Sequence, residues 1–88
     1  MDSDKIDMNT KEIYEMDGIV NGSRDIFTIM ADGSLSYKTY IGDRIIEWDN
    51  PTLVPCGKGQ RIQYGSGSSS PFKDYANGEL DKKWTKIL

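Results

Sequence analysis

The residues of this chain that could do chemistry are few: one cysteine, a Gly-Lys-Gly turn and a Gly/Ser run, with no histidine anywhere. Without imidazole there is no Cys–His pair and no Ser–His–Asp triad, and a single thiolate does not form an ordinary zinc site. Cys56 has no base partner, so we expect a small buried or half-buried side chain there. The sequence predicts no catalytic residues, no metal ion and no cofactor.

The segment Cys56–Arg61 reads CGKGQR and could bring a lysine and free backbone N–H groups to an anion. A phosphate-binding P-loop needs two glycines at wider spacing, then Lys and Ser or Thr, between a strand and a helix. Gln60 breaks that pattern. The segment therefore predicts a polar hairpin turn.

The run Gly65–Ser70 reads GSGSSS and is either a flexible linker or a shaped turn. A linker would need a second domain behind it, and too few residues follow for one. A strand candidate precedes the run, and Pro71 follows it with Ser70 placed to cap a helix. We therefore predict a strand-to-helix turn leading into a helix over residues 71–77. Its glycines and serines are candidate binding residues. They are Gly65, Ser66, Gly67 and Ser68.

Length and composition predict one small domain, residues 1–88, with residues 1–8 frayed. Apolar residues make up 36% and charged residues 28%, which is polar but compatible with a folded core. The net charge of −3 argues against nucleic acid and anionic membrane as partners, because phosphate binding needs a cationic surface. No signal peptide or membrane-spanning run is visible, so a cytoplasmic protein is expected.

The middle of the chain predicts an antiparallel meander. Asp25–Met30, Ser34–Ile41 and Arg44–Trp48 are rich in β-branched and aromatic residues, and the short turns between them contain Asp and Gly. The second segment alternates with a period of two, which places Tyr40 on the face opposite Tyr37.

The two ends of the chain are less regular. Upstream, Asn9 and Glu12 form a helix-capping pattern at the start of Lys11–Val20, which favours a helix. The segment is short and contains an Asp-Gly turn, so we predict two short strands there. In the tail, apolar residues fall at helical spacing, and a tryptophan so near the end is expected to dock on the core. The predicted fold class is α+β, mostly antiparallel β: a meander of short strands with one or two short helices toward the C-terminus. The tail residues are Leu80, Trp84, Ile87 and Leu88.

The order of these features resembles a known protease family. Asp32–Tyr37 (DGSLSY) and Val54–Gly78 are similar to the central part of proteasome β-subunits and their bacterial HslV-type relatives, and the likeness touches most of residues 2–78. These Ntn-hydrolases attack with the hydroxyl of an N-terminal threonine, whose own amine serves as the base.

Carried over residue by residue, the resemblance places Lys11 at the family's activating lysine and Asp2 at its supporting acid. Ser66 or Ser68 takes the place of its glycine-flanked serine. The chain starts with Met1. If Asp2 and Ser3 match the family's Asp-Ser pair, the resemblance implies that the strand bearing the threonine is missing. The resemblance therefore implies a truncated relative without peptidase activity.

By elimination we predict a non-catalytic protein-binding module, not an enzyme. Small acidic chains rich in Lys, Asp, Ile and Tyr are typical of phage and mobile-element genes, many of which encode inhibitors of host proteins. The predicted contact residues are Tyr40, Arg44 and Trp48, as exposed aromatics and charges. Open strand edges also allow self-association into a homo-oligomer. The alternatives are a degenerate or residual Ntn-type hydrolase and a small-ligand or nucleotide sensor using the Gly/Ser turn.

Overall fold

The computed structural model describes residues 9–18 and 20–88. The expectations that residues 1–8 fray and that Asp2 matches a family acid lie outside the described residues, as does Ile19 in the second predicted strand. The described part contains nine β-strands and no helix. The strands are β1 Thr10–Asp17, β2 Ser23–Met30, β3 Leu35–Ile41, β4 Arg44–Glu47, β5 Thr52–Cys56, β6 Gly59–Tyr64, β7 Ser68–Asp74, β8 Glu79–Leu80 and β9 Thr85–Lys86.

The strands form two antiparallel sheets. The five-stranded sheet has the order β4-β3-β2-β1-β9, and the four-stranded sheet has the order β5-β6-β7-β8. Each sheet is a meander of neighbouring hairpins, except that β9 returns from the end of the chain to pair with β1. The two sheets pack face to face around a shared core, so the N-terminal half of the chain supplies one layer and most of the C-terminal half the other.

The central meander confirms the prediction from alternation and Asp-Gly turns. β2, β3 and β4 pair in sequence, and Asp25 lies opposite Thr39 in the β2–β3 register. The β2–β3 turn is fixed by Asp32, whose carboxylate accepts hydrogen bonds from the Ser34 backbone N–H at 2.9 Å and the Ser34 hydroxyl at 2.7 Å. The Ser34 hydroxyl, followed by its backbone N–H, lowers the pKa of Asp32. Gly33 supplies the positive φ of 92° that this turn requires.

The described part of the upstream segment contains one strand where two were predicted, and Ile19 of the second lies outside it. β1 ends at Asp17, and Val20 lies in the turn that follows, where its carbonyl accepts hydrogen bonds from the N–H and the hydroxyl of Ser23. The hairpin of Cys56–Arg61 is confirmed, since β5 and β6 pair across Gly57 and Lys58.

The fold is all-β, so the prediction of an α+β chain with short C-terminal helices is wrong. Residues 71–77 are not a helix: Ser68–Asp74 is strand β7, and the Gly/Ser run turns the chain from β6 into β7. Ser70 and Phe72 are both buried, and Pro71 between them is exposed. This period of two is typical of a strand. Pro71 lies beside an irregularity in the β6–β7 register, which is where a residue without an N–H is tolerated.

The C-terminal tail is also extended. Its apolar residues form no helix, and the tail instead contributes β8 and β9. The prediction that Trp84 docks on the core is confirmed, because its side chain is only 5% exposed. Its indole Nε1 donates to the carbonyl of Pro71 at 2.8 Å, which fastens the tail to β7.

The core is small and mainly aromatic. Phe27 is completely buried and its ring lies 5.1 Å from that of Phe72, nearly edge to face at 71°. Tyr14 and Phe72 meet at 5.0 Å and 89°, a second edge-to-face pair across the sheets. Five rings therefore hold the two sheets together with one aliphatic side chain. The buried core residues are Tyr14, Phe27, Tyr37, Ile62, Phe72 and Trp84.

We predict that Trp84→Ala lowers the free energy of unfolding by about 3–5 kcal/mol, because it leaves a cavity between Phe27 and Phe72. Trp84→Phe should lose less, since it keeps one aromatic ring in the core and loses the smaller ring with its hydrogen bond to Pro71. Urea unfolding followed by far-UV circular dichroism measures both. Ile87→Ala is the matched control: Ile87 is 55% exposed, and its truncation should cost under about 0.5 kcal/mol. Equal losses for Trp84→Ala and Ile87→Ala would contradict the docked tail.

Candidate functional site

A buried carboxylate lies on the inner face of the five-stranded sheet. Asp25 alternates in phase with Phe27 on β2 and is only 7% exposed. The Tyr37 hydroxyl donates to Oδ2 of Asp25 and the Thr39 hydroxyl donates to Oδ1, both at 2.9 Å. Both donors come from the adjacent strand β3. The carboxylate is therefore held by two neutral hydroxyl groups.

Trp48 extends this network from the segment after β4. Its indole Nε1 donates to Thr39 Oγ1 at 2.8 Å. An indole N–H can only donate and a carboxylate can only accept, so the Thr39 hydroxyl must accept from Trp48 and donate to Asp25. The direction of every hydrogen bond in the network is fixed, and the network ends on Asp25.

A cleft of about 160 Å³ opens between the two sheets beside this carboxylate. The inner face of the five-stranded sheet forms one wall, and Tyr64 with the first half of β7 forms the other. The connection between β8 and β9 closes one side. We call this the Asp25 cleft. Its lining residues are Met16, Asp25, Tyr37, Tyr64, Ser69, Ser70, Pro71, Asp81 and Lys83.

Two tyrosines give the Asp25 cleft an aromatic wall. The rings of Tyr37 and Tyr64 lie 4.5 Å apart and meet edge to face at 83°. Burial, followed by the charge of Asp25 and its hydrogen bond, raises the pKa of Tyr37 well above its usual range, and Tyr64 adds to the effect. Tyr37 is therefore a neutral phenol that donates to Asp25, unsuited to act as a base.

The outer face of the five-stranded sheet carries a second feature, an apolar stripe. Tyr40 and Ile45 are cross-strand partners on β3 and β4, and they are 37% and 58% exposed. Ile26 lies one diagonal step away, since it faces Lys38, two residues before Tyr40. Ile13 lies one further step away on β1. Diagonal neighbours on one face of a sheet are close enough for such side chains to touch. The apolar stripe, defined as Ile13, Ile26, Tyr40 and Ile45, therefore crosses four strands.

The charges beside the apolar stripe have opposite charges as neighbours. Arg24 forms an ion pair with Glu15 at 2.8 Å across β2 and β1. Lys38 lies directly opposite Glu47 across β3 and β4. Each of these positive charges therefore has a negative charge as its neighbour on the same face.

The three residues predicted for partner contact do not share one face. Tyr40 lies on the outer face, as the period of two indicated. Arg44 is exposed and is the first residue of β4, where it lies opposite Ile41. Ile41 alternates in phase with the inward-facing Tyr37, so Arg44 belongs to the inner face. Trp48 is half-buried and packs on Tyr64 with a ring separation of 5.1 Å. Their role in binding stays a prediction, which the geometry favours for Tyr40.

The Gly/Ser run is exposed from Gly65 to Ser69 and forms the tip of the β6–β7 hairpin. Gly65 and Gly67 take φ values of 60° and 121°, which L side chains rarely adopt. The prediction of a shaped turn is confirmed, but the turn joins two strands and not a strand and a helix. Its use as a ligand site stays a prediction. Cys56 is exposed, so the expectation of a buried or half-buried thiol is wrong.

The residues carried over from the protease resemblance lie on different sheets. Lys11 is exposed on β1 of the five-stranded sheet. Ser66 lies in the β6–β7 turn and Ser68 begins β7 of the four-stranded sheet. The resemblance itself stays a prediction.

Among residues 9–18 and 20–88, no group of three or more His, Cys, Asp or Glu side chains could hold a metal ion. The same part of the chain has no helix long and apolar enough to cross a membrane. Comparison with family models, curated proteins and solved structures finds no match for this chain.

Sequence reasoning missed the Asp25 network. The signal was present, because Asp25 stands two residues before Phe27 in a segment predicted to be a strand, and such residues share a face. A carboxylate in the inward phase of a strand needs donors, and the meander register supplies Thr39 opposite it. The position of Trp48 had no comparable signal, since Trp48 follows the end of β4.

We predict that Thr39→Val destabilises the protein by about 1–3 kcal/mol, because it leaves the Trp48 N–H and one oxygen of Asp25 without their partner. Thr28→Val is the matched control: Thr28 lies on the outer face of β2 and takes no part in this network. Urea unfolding measures both. A Thr39→Val variant as stable as Thr28→Val would contradict the network.

We predict that stability falls as the pH rises above about 10. The pKa values of Tyr14 and Tyr37 are both raised from the ordinary value of 10.0, mainly by burial, so the folded protein favours the neutral phenols. This contribution is complete below the unfolded pKa and is lost as the pH climbs toward the folded pKa. Urea midpoints measured between about pH 8 and pH 11 test this. Tyr37→Phe should flatten the alkaline decline, and an unchanged slope would refute the assignment.

Proposed function

We propose that this protein is a non-catalytic protein-binding module whose contact surface is the apolar stripe and the adjoining edge strand β4. The observation that carries the proposal is the position of Ile45. Ile45 is 58% exposed and lies next to Tyr40 of the stripe. It belongs to β4, an edge strand of the five-stranded sheet.

The edge strand offers a way to bind an extended segment of a partner. Within the described residues β4 pairs only with β3, so its second side has no strand partner. Such an edge can accept another strand through backbone hydrogen bonds. The free edge at β5 contains Pro55, which lacks an N–H, and is less suited to pairing.

The chemistry of the partner segment follows from the surface beside β4. A strand added next to β4 would place alternate side chains on the outer face beside Ile45. The charges around the stripe already have opposite charges as neighbours, Glu15 in an ion pair with Arg24 and Glu47 opposite Lys38 in the strand register. The occupant is therefore an extended segment of another protein with uncharged apolar residues at alternate positions.

A role for this binding is inhibition of a host protein, as the acidic Lys/Asp/Ile/Tyr-rich composition suggests for a phage or mobile-element product. Binding of β4 to an extended segment of the host protein would block that segment without any catalytic step by this chain. This role rests on the binding proposal.

We predict that a displayed library of random peptides selected on the wild-type protein yields binders with alternating apolar residues. Ile45→Lys should weaken these peptides at least tenfold in fluorescence anisotropy, because it puts a charge at the open end of the stripe. Val20→Lys is the matched control: Val20 is 56% exposed, outside the stripe, and this change should leave affinity unchanged.

Three results would overturn the proposal. One is that no peptide is enriched, and another is that enriched peptides bind Ile45→Lys as tightly as wild type. The third is a dimer by size exclusion with light scattering that Ile45→Lys dissociates, which would make a second copy of this chain the occupant of β4.

A further inference from the structure

The Asp25 carboxylate takes part in no ion pair among the described residues. It is 7% exposed. Its partners are the hydroxyls of Tyr37 and Thr39. Burial of a carboxylate that lacks an opposite charge is costly, and two neutral donors offset that cost only in part.

The Asp25 carboxylate lines a cleft large enough to hold a small molecule. Its volume of about 160 Å³ is close to that of an engineered apolar cavity that holds benzene. Each carboxylate oxygen accepts one hydrogen bond within the network and keeps further acceptor capacity. A ligand in the cleft could therefore bond to Asp25 without breaking the network.

The remaining walls of the cleft suit a cation. Tyr64 stands edge to face against Tyr37 and presents an aromatic surface, and aromatic faces attract ammonium and guanidinium groups. Asp81 adds a second carboxylate to the lining. Lys83 adds one positive charge, but its side chain is exposed and free to point its ammonium group into water.

We propose that the Asp25 cleft binds a small organic cation, a primary alkylammonium group or a guanidinium group. The charged head lies between Asp25 and Tyr64, and the short alkyl part lies beside Met16. An ammonium group supplies up to three N–H donors, which matches the acceptor capacity of Asp25 and Asp81. The cavity volume limits the ligand to a few heavy atoms, or to the end of a longer side chain.

Other ligand classes fit less well. An anion would face two carboxylates with only the exposed Lys83 in its favour. A metal ion would find only two acidic side chains, Asp25 and Asp81, in the lining. A neutral apolar molecule would leave the acceptor capacity of Asp25 unused.

The experiment is an NMR titration of the 15N-labelled protein with n-propylammonium chloride. The matched ligands are n-propanol, which has the same shape without the charge, and sodium propionate, which reverses the charge. Sodium chloride at equal ionic strength is the salt control. We expect n-propylammonium alone to give saturable shifts at the amides of Asp25, Tyr64, Ser70 and Lys83. Equal shifts with n-propanol, or none beyond those of sodium chloride, would overturn the proposal.

Two variants separate binding from folding. Asp25→Asn keeps the shape of the side chain and removes its charge, and it should weaken n-propylammonium at least tenfold. Tyr64→Leu leaves the Asp25 hydrogen bonds in place and should weaken the cation several-fold by removing the aromatic wall. If Asp25→Asn does not fold, Tyr64→Leu decides. Lys83→Ala should tighten binding, because it removes a like charge from the cleft. Unchanged affinity in the folded variants would refute the site.

This site does not depend on the proposed protein contact. The apolar stripe lies on the outer face of the five-stranded sheet, and the Asp25 cleft lies on the inner side. Ile45→Lys should leave the n-propylammonium titration unchanged, so each proposal can fail without the other.

Discussion

The contact between Phe27 and Phe72 is the interaction on which the rest of the structure depends. Phe27 is fully buried at the centre of the five-stranded sheet, and Phe72 meets it from the four-stranded sheet at 5.1 Å. Trp84 closes the gap beside both rings at 6.3 and 6.1 Å. A chain of 88 residues buries a limited core, so a few large rings must supply most of the apolar contact between the sheets. The other features are possible only because these rings fix the spacing of the two layers.

Alternation along the strands then produces two different surfaces from the same strands. On β3, Tyr37 and Thr39 point to the core and become the donors to Asp25, while Tyr40 points outward and joins the apolar stripe. A register slip of one residue would exchange these sets, so pairing along β2 and β3 fixes the cleft and the stripe together. The buried network favours one register, because the Asp25 carboxylate finds its donors only when Thr39 lies opposite it.

The elements that sequence reasoning predicted correctly are those with local signals. The central meander follows from β-branched residues, a period of two and Asp-Gly turns, all within a short stretch. Residues 71–77 were mistaken for a helix because Ser70 and Pro71 mimic a helix start, whereas β7 owes its form to pairing with β6. The pairing of β9 with β1 joins opposite ends of the described chain and leaves no local pattern. Of the sites, Tyr40 followed from alternation, while the partners of Asp25 required the register.

A buried aspartate at position 25 costs stability, so its presence needs an explanation other than packing. A valine there would continue the inward row that includes Phe27 and would avoid the cost of a buried charge. The surrounding hydroxyls of Tyr37 and Thr39 would then lose their acceptor, so the network is arranged around the carboxylate and not the reverse. Trp48 is oriented toward that same network through Thr39. Binding of an organic cation by Asp25 would explain why this hydrogen-bond network is kept in the core. The cleft beside Asp25 has the size and the aromatic wall for such a cation.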